Sequence, residues 1–309
     1  MGAGHLDRRR LIRAGVVAGA AALLRIRPLG ATLLQRTRTI PSSGEQIPAV
    51  GLGSARTFSV RGNSSELDPL REVLRHFHRM GGRVFDTAPT YGGAERVSGR
   101  LVQELGIQDD LFFATKISTG GSKQAGLAQE RGSQEAWGRD MIDLNQVHNL
   151  RGVDVHLPTL REAKAAGRTR YIGVTTSRMP QHDAMEAVLR RETLDFVQLN
   201  YSLGERQAAD RLIPLAADRG IAVLVNEPYN GGRLFRAVRG RDLPEWAAEF
   251  DCESWGQFFL KYILSEPAVT VVIPATSSPD HLIDNMGAGL GALPDATQRR
   301  RMEAFFDQL

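Results

Sequence analysis

Along most of this chain, short apolar runs alternate with longer stretches in which apolar residues recur every three or four positions. The runs cover residues 49–53, 84–86, 112–116, 144–148, 171–174, 196–199, 222–225 and 269–273. Most lack strict in-out alternation, as expected of strands buried on both faces of a parallel sheet. Between them, 66–80 places Leu67, Leu70, Val73, Leu74 and Phe77 on one helical face. Segments 94–105, 159–166, 180–191, 206–219 and 254–264 read likewise, several of them stopped by glycine or arginine. In 117–141 the Gly- and Ser-rich start hides any period, and only 133–141 reads as helix. Residues 39–48 form a short hairpin pattern around Ser43-Gly44.

Eight β/α units in roughly 270 residues predict a (β/α)8 TIM barrel with a short N-terminal β-hairpin. A doubly wound sheet is the competing α/β architecture. Its dinucleotide fingerprint belongs after the first strand, where Gly51-Leu52-Gly53-Ser54-Ala55-Arg56 lacks the third glycine. No linker divides the body, although a long connection, 230–251, follows the seventh strand.

Composition narrows the function. With 309 residues, 42% hydrophobic and 24% charged, the chain is of the ordinary globular type. No apolar run reaches the roughly 18 residues that span a bilayer. A single cysteine, Cys252, excludes an intramolecular disulfide or a multi-cysteine metal site. His76 and His78 lie two apart on a predicted helix and face different ways, and Asp154-Val155-His156 reads as a loop cluster, so no metal is expected.

Residues 1–38 hold eight arginines and one acid, a charge of +7; the whole chain is +4, so the body is −3. That body has no basic surplus for phosphates, and nucleic acid is not an expected partner. In the first segment, Arg8-Arg9-Arg10-Leu11-Ile12-Arg13 precedes a weakly apolar stretch, 14–24. The layout resembles a twin-arginine export signal. The expected organisation is thus a leader, 1–38, read by export machinery, and a barrel, 39–309, working in the periplasm or otherwise exported; a basic amphipathic helix on a cytoplasmic protein is the alternative.

The candidate chemistry lies at strand ends. In a TIM barrel these ends and the loops after them form one mouth, where reactions take place. The second run ends at Asp86, with Tyr91 five residues on; the third ends at Lys116 and the fourth at His148. Charges in such apolar surroundings are costly unless paired, so Asp86 and Lys116 pair with each other, with Tyr91 in reach. An ammonium beside a phenol lowers the phenol's pKa, and a histidine across the mouth can orient a carbonyl oxygen. The set can polarise a carbonyl and protonate the resulting alkoxide, but it supplies no hydride; a cofactor must. Taken singly, Asp86 and Lys116 form a structural ion pair, Tyr91 is a loop aromatic and His148 a core histidine; their joint placement favours catalysis.

These residues resemble the aldo-keto reductase family. The likeness is carried by Gly82-Arg83-Val84-Phe85-Asp86-Thr87-Ala88-Pro89-Thr90-Tyr91-Gly92, Ala114-Thr115-Lys116 and Asp143-Leu144-Asn145-Gln146-Val147-His148. It continues through 167–176, Val197-Gln198-Leu199-Asn200-Tyr201-Ser202 and Val272-Ile273-Pro274-Ala275-Thr276-Ser277. The resemblance implies a barrel reductase of aldehydes or ketones that takes its hydride from NADP, with NAD also possible. It implies Tyr91 as general acid, Asp86 and Lys116 tuning it, and His148 orienting the substrate. Gln198, Thr175 and Thr176 would hold the nicotinamide carboxamide, with Gly51, Ser54, Asn226 and Pro228 beside the cofactor. Thr276, Ser277, His281 and Asn285 would meet its phosphate and adenine end. The family's usual serine and asparagine are here Thr175 and Thr176, its stacking aromatic is Asn226, and its cation near the 2′-phosphate is His281. Two other functions stay open: a non-catalytic nicotinamide-binding redox sensor, and a Schiff-base lyase using Lys116 as nucleophile.

Overall fold

The computed structural model describes Met1 and residues 35–309. The greater part of the expected leader, 2–34, falls outside the described residues. Residues 35–38, grouped with it by sequence, are stitched into the barrel body. The Gln35 side chain donates to the Met286 carbonyl at 3.0 Å, and the Arg36 carbonyl accepts from the Ala49 amide at 2.8 Å.

Two antiparallel strands, β1 (Thr37–Thr39) and β2 (Gln46–Pro48), form the hairpin, with Arg38 opposite Ile47. Then come eight parallel strands: β3 (Leu52–Gly53), β4 (Val84–Asp86), β5 (Phe112–Ile117), β6 (Ile142–Val147), β7 (Thr169–Thr175), β8 (Phe196–Asn200), β9 (Ala222–Asn226) and β10 (Val269–Val272). Each pairs with the next in sequence, and bridges Val50–Val272 and Gly53–Ala275 join the first to the last. That closure makes the sheet a cylinder and rules out the open doubly wound alternative.

Around it lie α1 (Ser64–Arg79), α2 (Ala94–Leu105), α3 (Lys123–Trp137), α4 (Val153–Ala165), α5 (His182–Arg191), α6 (Leu212–Asp218), α7 (Arg233–Ala237), α8 (Trp255–Leu264), α9 (Pro279–Gly287) and α10 (Ala296–Phe306). α7, α9 and α10 fall where the sequence pattern marked no helix, and three others start elsewhere than it placed them. α3 begins ten residues before the expected 133, capped by Ser122, whose Oγ accepts from the Ala125 amide. Its inward stripe is Gly126, Glu130, Ser133 and Trp137, polar or small in three of four places, so no apolar period shows. α4 starts at Val153, and Asp154 and His156 lie on its first turns rather than in a loop. Pro158 inside it forfeits a helical hydrogen bond and masks the true start. α6 starts at Leu212, which sets Pro214 in the first turn, where a missing N–H costs nothing.

Two apolar layers hold the cylinder. Inside, Phe112, Tyr171 and Phe196 meet with ring centroids 5.7–6.1 Å apart, and Ile40 and Ile47 of the hairpin join the same cluster as its floor. Outside the wall, Trp137 of α3 stacks on Phe113 at 4.1 Å and tilts against Phe85 at 5.2 Å. Gly99 lets α2 meet α3 so closely that any β-carbon there would collide with the Ala136 carbonyl. Among the described residues, no helix is long and apolar enough to cross a membrane.

Candidate active site

Strand parity builds the site. Val84, Phe112, Ala114 and Leu144 all belong to the interior cluster, so residues two further along each strand also face the axis. Those residues are Asp86, Lys116 and Gln146, and they form a polar layer directly above an apolar one. Cross-strand register sets Asp86 beside Ala114 and Lys116 beside Gln146.

In that layer the Lys116 ammonium donates to Asp86 Oδ1 at 2.7 Å, to Oδ2 at 2.8 Å and to the Thr87 carbonyl at 2.8 Å. Both side chains are buried. Burial disfavours the charge on Lys116, but Asp86 and Tyr91 outweigh it and hold the ammonium above its ordinary pKa. Lys116 Nζ lies 5.1 Å from the centre of the Tyr91 ring. The phenol's own balance differs from the sequence-based expectation: burial raises its pKa, and the pull of Lys116 only partly offsets this.

His148, one residue past β6, meets Tyr91 edge to face, with ring centres 5.8 Å apart. Its Nδ1 lies 2.7 Å from Ser118 Oγ and 3.3 Å from Thr90 Oγ1. Burial, then Lys116 and Arg151, lower its pKa to about 3, so the ring is neutral near pH 7. Ser118 and Thr90 escaped the sequence reading, although Ser118 keeps the inward parity of Lys116 and Thr90 precedes Tyr91.

Tyr91 and His148 open into a cavity of about 730 Å³ at the carboxyl ends of the strands. Ser54, Asn226 and Pro228 line it too, as expected, together with Arg56, Glu227, Tyr229 and Phe235. Among the described residues, six non-glycine residues have positive φ; Arg56 (66°), Asn149 (51°) and Glu227 (48°) line the cavity, and Leu150 and Asn230 adjoin it. Such strained backbone gathers at functional sites.

The comparisons agree with this geometry. The model of the aldo/keto reductase family matches residues 49–303. The chain belongs to the aldo/keto reductase family. Its members are NAD(P)H-dependent oxidoreductases, and this chain is one. It is 27% identical over 289 residues to L-galactose dehydrogenase of Arabidopsis thaliana, covering 81% of this chain and 87% of that protein. It is 27% identical over 201 residues to an aldo-keto reductase of Bacillus subtilis, 60% of each chain. A crystal structure of an aldo-keto reductase from Klebsiella pneumoniae in complex with NADPH shares the fold with a TM-score of 0.73 at 20% identity, over 88% of this chain and 95% of that one.

In this aldo/keto reductase Asn226 lines the cavity, whereas Gln198, Thr175 and Thr176, the other residues expected to meet the nicotinamide, are buried and are not among its lining residues. Gln198, at the centre of β8, pairs with Thr175, and its Oε1 is buried without a partner, as is Asn226 Oδ1. Two orphaned amide oxygens suit the N–H groups of a carboxamide, so the residues present fit a nicotinamide ring. Asn226 Nδ2 is committed to the Thr176 carbonyl at 3.0 Å, and the Thr176 hydroxyl to Gln181 Oε1 at 2.6 Å. Thr176 therefore helps hold Asn226 in place. Gly51 lies in the wall, where a β-carbon would come 2.8 Å from the Val84 carbonyl, and is not among the cavity-lining residues.

Thr276, Ser277, His281 and Asn285 are not among the cavity-lining residues; the first two precede α9 and the last two lie within it. Thr276 Oγ1 accepts from the Ser278 amide at 3.0 Å, Ser277 and His281 are exposed, and Asn285 Oδ1 accepts from the Tyr229 hydroxyl at 2.5 Å. That last bond links the cavity to the α9 group.

Proposed function

We propose that this chain reduces an aldehyde or ketone to the alcohol with hydride from NADPH, NADH being the alternative donor, and that Tyr91 is the general acid. The observation that carries the reading is the buried Lys116–Asp86 pair beneath the Tyr91 ring, next to a neutral His148, at the mouth of one cavity. When bound, the reduced nicotinamide supplies the hydride; Gln198, Asn226 and Thr175 would hold its carboxamide, and Ser54 and Pro228 would lie along it. A Ser118 hydroxyl donating to His148 Nδ1 leaves Nε2–H free to hold the carbonyl oxygen. Tyr91 then gives its proton to that oxygen as it becomes an alkoxide, and Lys116 stabilises the phenolate left behind.

The same geometry disfavours the Schiff-base reading. Three acceptors occupy the three protons of Lys116, and its raised pKa keeps it charged and non-nucleophilic. Replacement of Tyr91 by Phe tests the proposal: reduction should fall by about 10²–10⁴, while NADPH binding, followed by tryptophan fluorescence, should be nearly unchanged. Full activity in that variant removes Tyr91 from the mechanism. One relative is named a dehydrogenase of L-galactose, so sugars and their oxidation belong in the substrate panel.

The residues ahead of Gln35 act, in this reading, as a twin-arginine export leader that delivers the folded enzyme to the periplasm, residues 35–38 of the expected 1–38 belonging to the barrel. The support is the arginine cluster ahead of the apolar stretch 14–24. Fusion of 1–38 to a reporter tests it: export should require Arg8, Arg9 and Arg10, and cytoplasmic retention overturns it.

A further inference from the structure

Among the described residues, Arg56 is the only lysine or arginine lining the cavity that holds Tyr91 and His148. Arg56 is exposed at the cavity mouth, and among the described residues its guanidinium has no hydrogen-bond or salt-bridge partner. The other charges lining the cavity are accounted for. Asp86 is paired with Lys116, His148 is neutral, and Glu227 accepts from the Gly231 amide at 3.1 Å, which fixes it within its own loop.

The loop bearing Arg56 is held at both sides of it. The Ser54 carbonyl accepts from the Thr57 amide at 3.3 Å and the Phe58 amide at 3.2 Å, closing a tight turn. Phe58 is fully buried against Phe85, with ring centres 5.4 Å apart. Ser59 Oγ accepts from the Gly93 amide at 3.4 Å, which ties the loop to the turn just after Tyr91. Within this rigid loop Arg56 has φ of 66°, a conformation that glycine adopts more cheaply. A charged, unpaired side chain at a strained position, lining the same cavity as the proton donor, is placed to meet a ligand.

We infer that Arg56 is an anion anchor, and that the substrate is a carbonyl compound that also carries a carboxylate. This rests on the reductase reading above. The Ser59–Gly93 bond joins this loop to the turn after Tyr91, and Arg56, Thr57, Ser59 and Thr90 line the same cavity as Tyr91. A guanidinium takes a carboxylate through two parallel N–H bonds, fixing the distance from the anion to the carbonyl.

The test compares 4-carboxybenzaldehyde with its methyl ester in the unaltered protein and in Arg56→Met, Arg56→Lys and Arg56→Gly. The acid should have a KM about tenfold or more below that of the ester, the scale of one charge-assisted contact. Arg56→Met should erase that advantage with kcat for the ester unchanged, and Arg56→Lys should restore part of it. Arg56→Gly should lose the preference with no fall in Tm, since it relieves the positive φ. The acid's KM should rise with ionic strength and the ester's should not. Equal effects on acid and ester overturn the inference. So does a weaker NADPH Kd in Arg56→Met with the acid preference intact, which would give Arg56 to a cofactor phosphate. Binding of benzoate against benzamide, followed by calorimetry, tests the anchor apart from turnover. Benzoate selectivity lost in Arg56→Met supports the anchor even if no aldehyde is reduced, in which case the reductase reading alone fails.

Discussion

Lys116 grips both oxygens of Asp86, at 2.7 and 2.8 Å, deep in a layer that rests on apolar side chains. Removing one partner leaves the other charge buried alone. Lys116→Met or Asp86→Asn should each cost about 3–5 kcal/mol in denaturant unfolding. The double variant Lys116→Met with Asp86→Leu should lose less than the sum of the singles, yet recover no reductase activity. Full additivity in that cycle would mean that the two residues do not act as a pair.

Two pKa shifts set the pH profile. Burial holds the Tyr91 phenol above its ordinary value, so the acid form persists past neutrality. The His148 imidazole, at about 3, stays neutral well into the acid range. For reduction, kcat/KM should therefore stay nearly flat from about pH 5 to about pH 9 and fall on the alkaline side only beyond the ordinary phenol range, near ~10. An alkaline limb near pH 8 contradicts this balance of burial and charge.

His148 should also shape stability. Its folded pKa lies below the ordinary histidine value, so unfolding takes up a proton once the pH drops below about 6.5. The stabilising contribution is complete above that point and drains away as the pH falls toward the folded value of about 3. Thermal scans between about pH 7 and pH 4 should show a smaller loss of Tm in His148→Gln than in the unaltered protein. An identical loss would assign acid sensitivity to other groups.

The orphaned amide oxygens predict a binding phenotype. Asn226→Leu and Gln198→Leu should each raise the NADPH Kd by about tenfold, the scale of one or two lost hydrogen bonds. His281→Ala separates the two cofactors: if the imidazole meets the 2′-phosphate, NADPH should weaken more than NADH in fluorescence titration. An unchanged ratio would leave the hydroxyls before α9 as the phosphate contacts.

Outside the site, Trp137→Ala should cost about 3–5 kcal/mol by emptying the space between Phe85 and Phe113. Gly99→Ala should also destabilise, because the Ala136 carbonyl leaves no room and must shift. Denaturant midpoints check both.

The strands were legible because buried parallel strands are apolar throughout, and all eight runs coincide with strands to within a few residues. The start of α3 was not, because its buried face carries Glu130 and Ser133, whose partners, Arg168 and Glu95, come from other parts of the chain. The quartet Asp86, Tyr91, Lys116 and His148 could be read from strand-end positions, and the structure brings these four together. The sign of the Tyr91 shift could not, since it depends on how much protein surrounds the ring. Ser118 and Arg56 went unread for a related reason: nothing local distinguishes a serine that meets His148, or an unpaired arginine, until the loops are folded against each other.

Among the described residues, Ile40 and Ile47 close one end of the barrel interior, and the cavity opens at the other. Dinucleotide and carbonyl compound then share that opening, and whichever ligand lies deeper sits behind the other. That ligand has to arrive first and depart last.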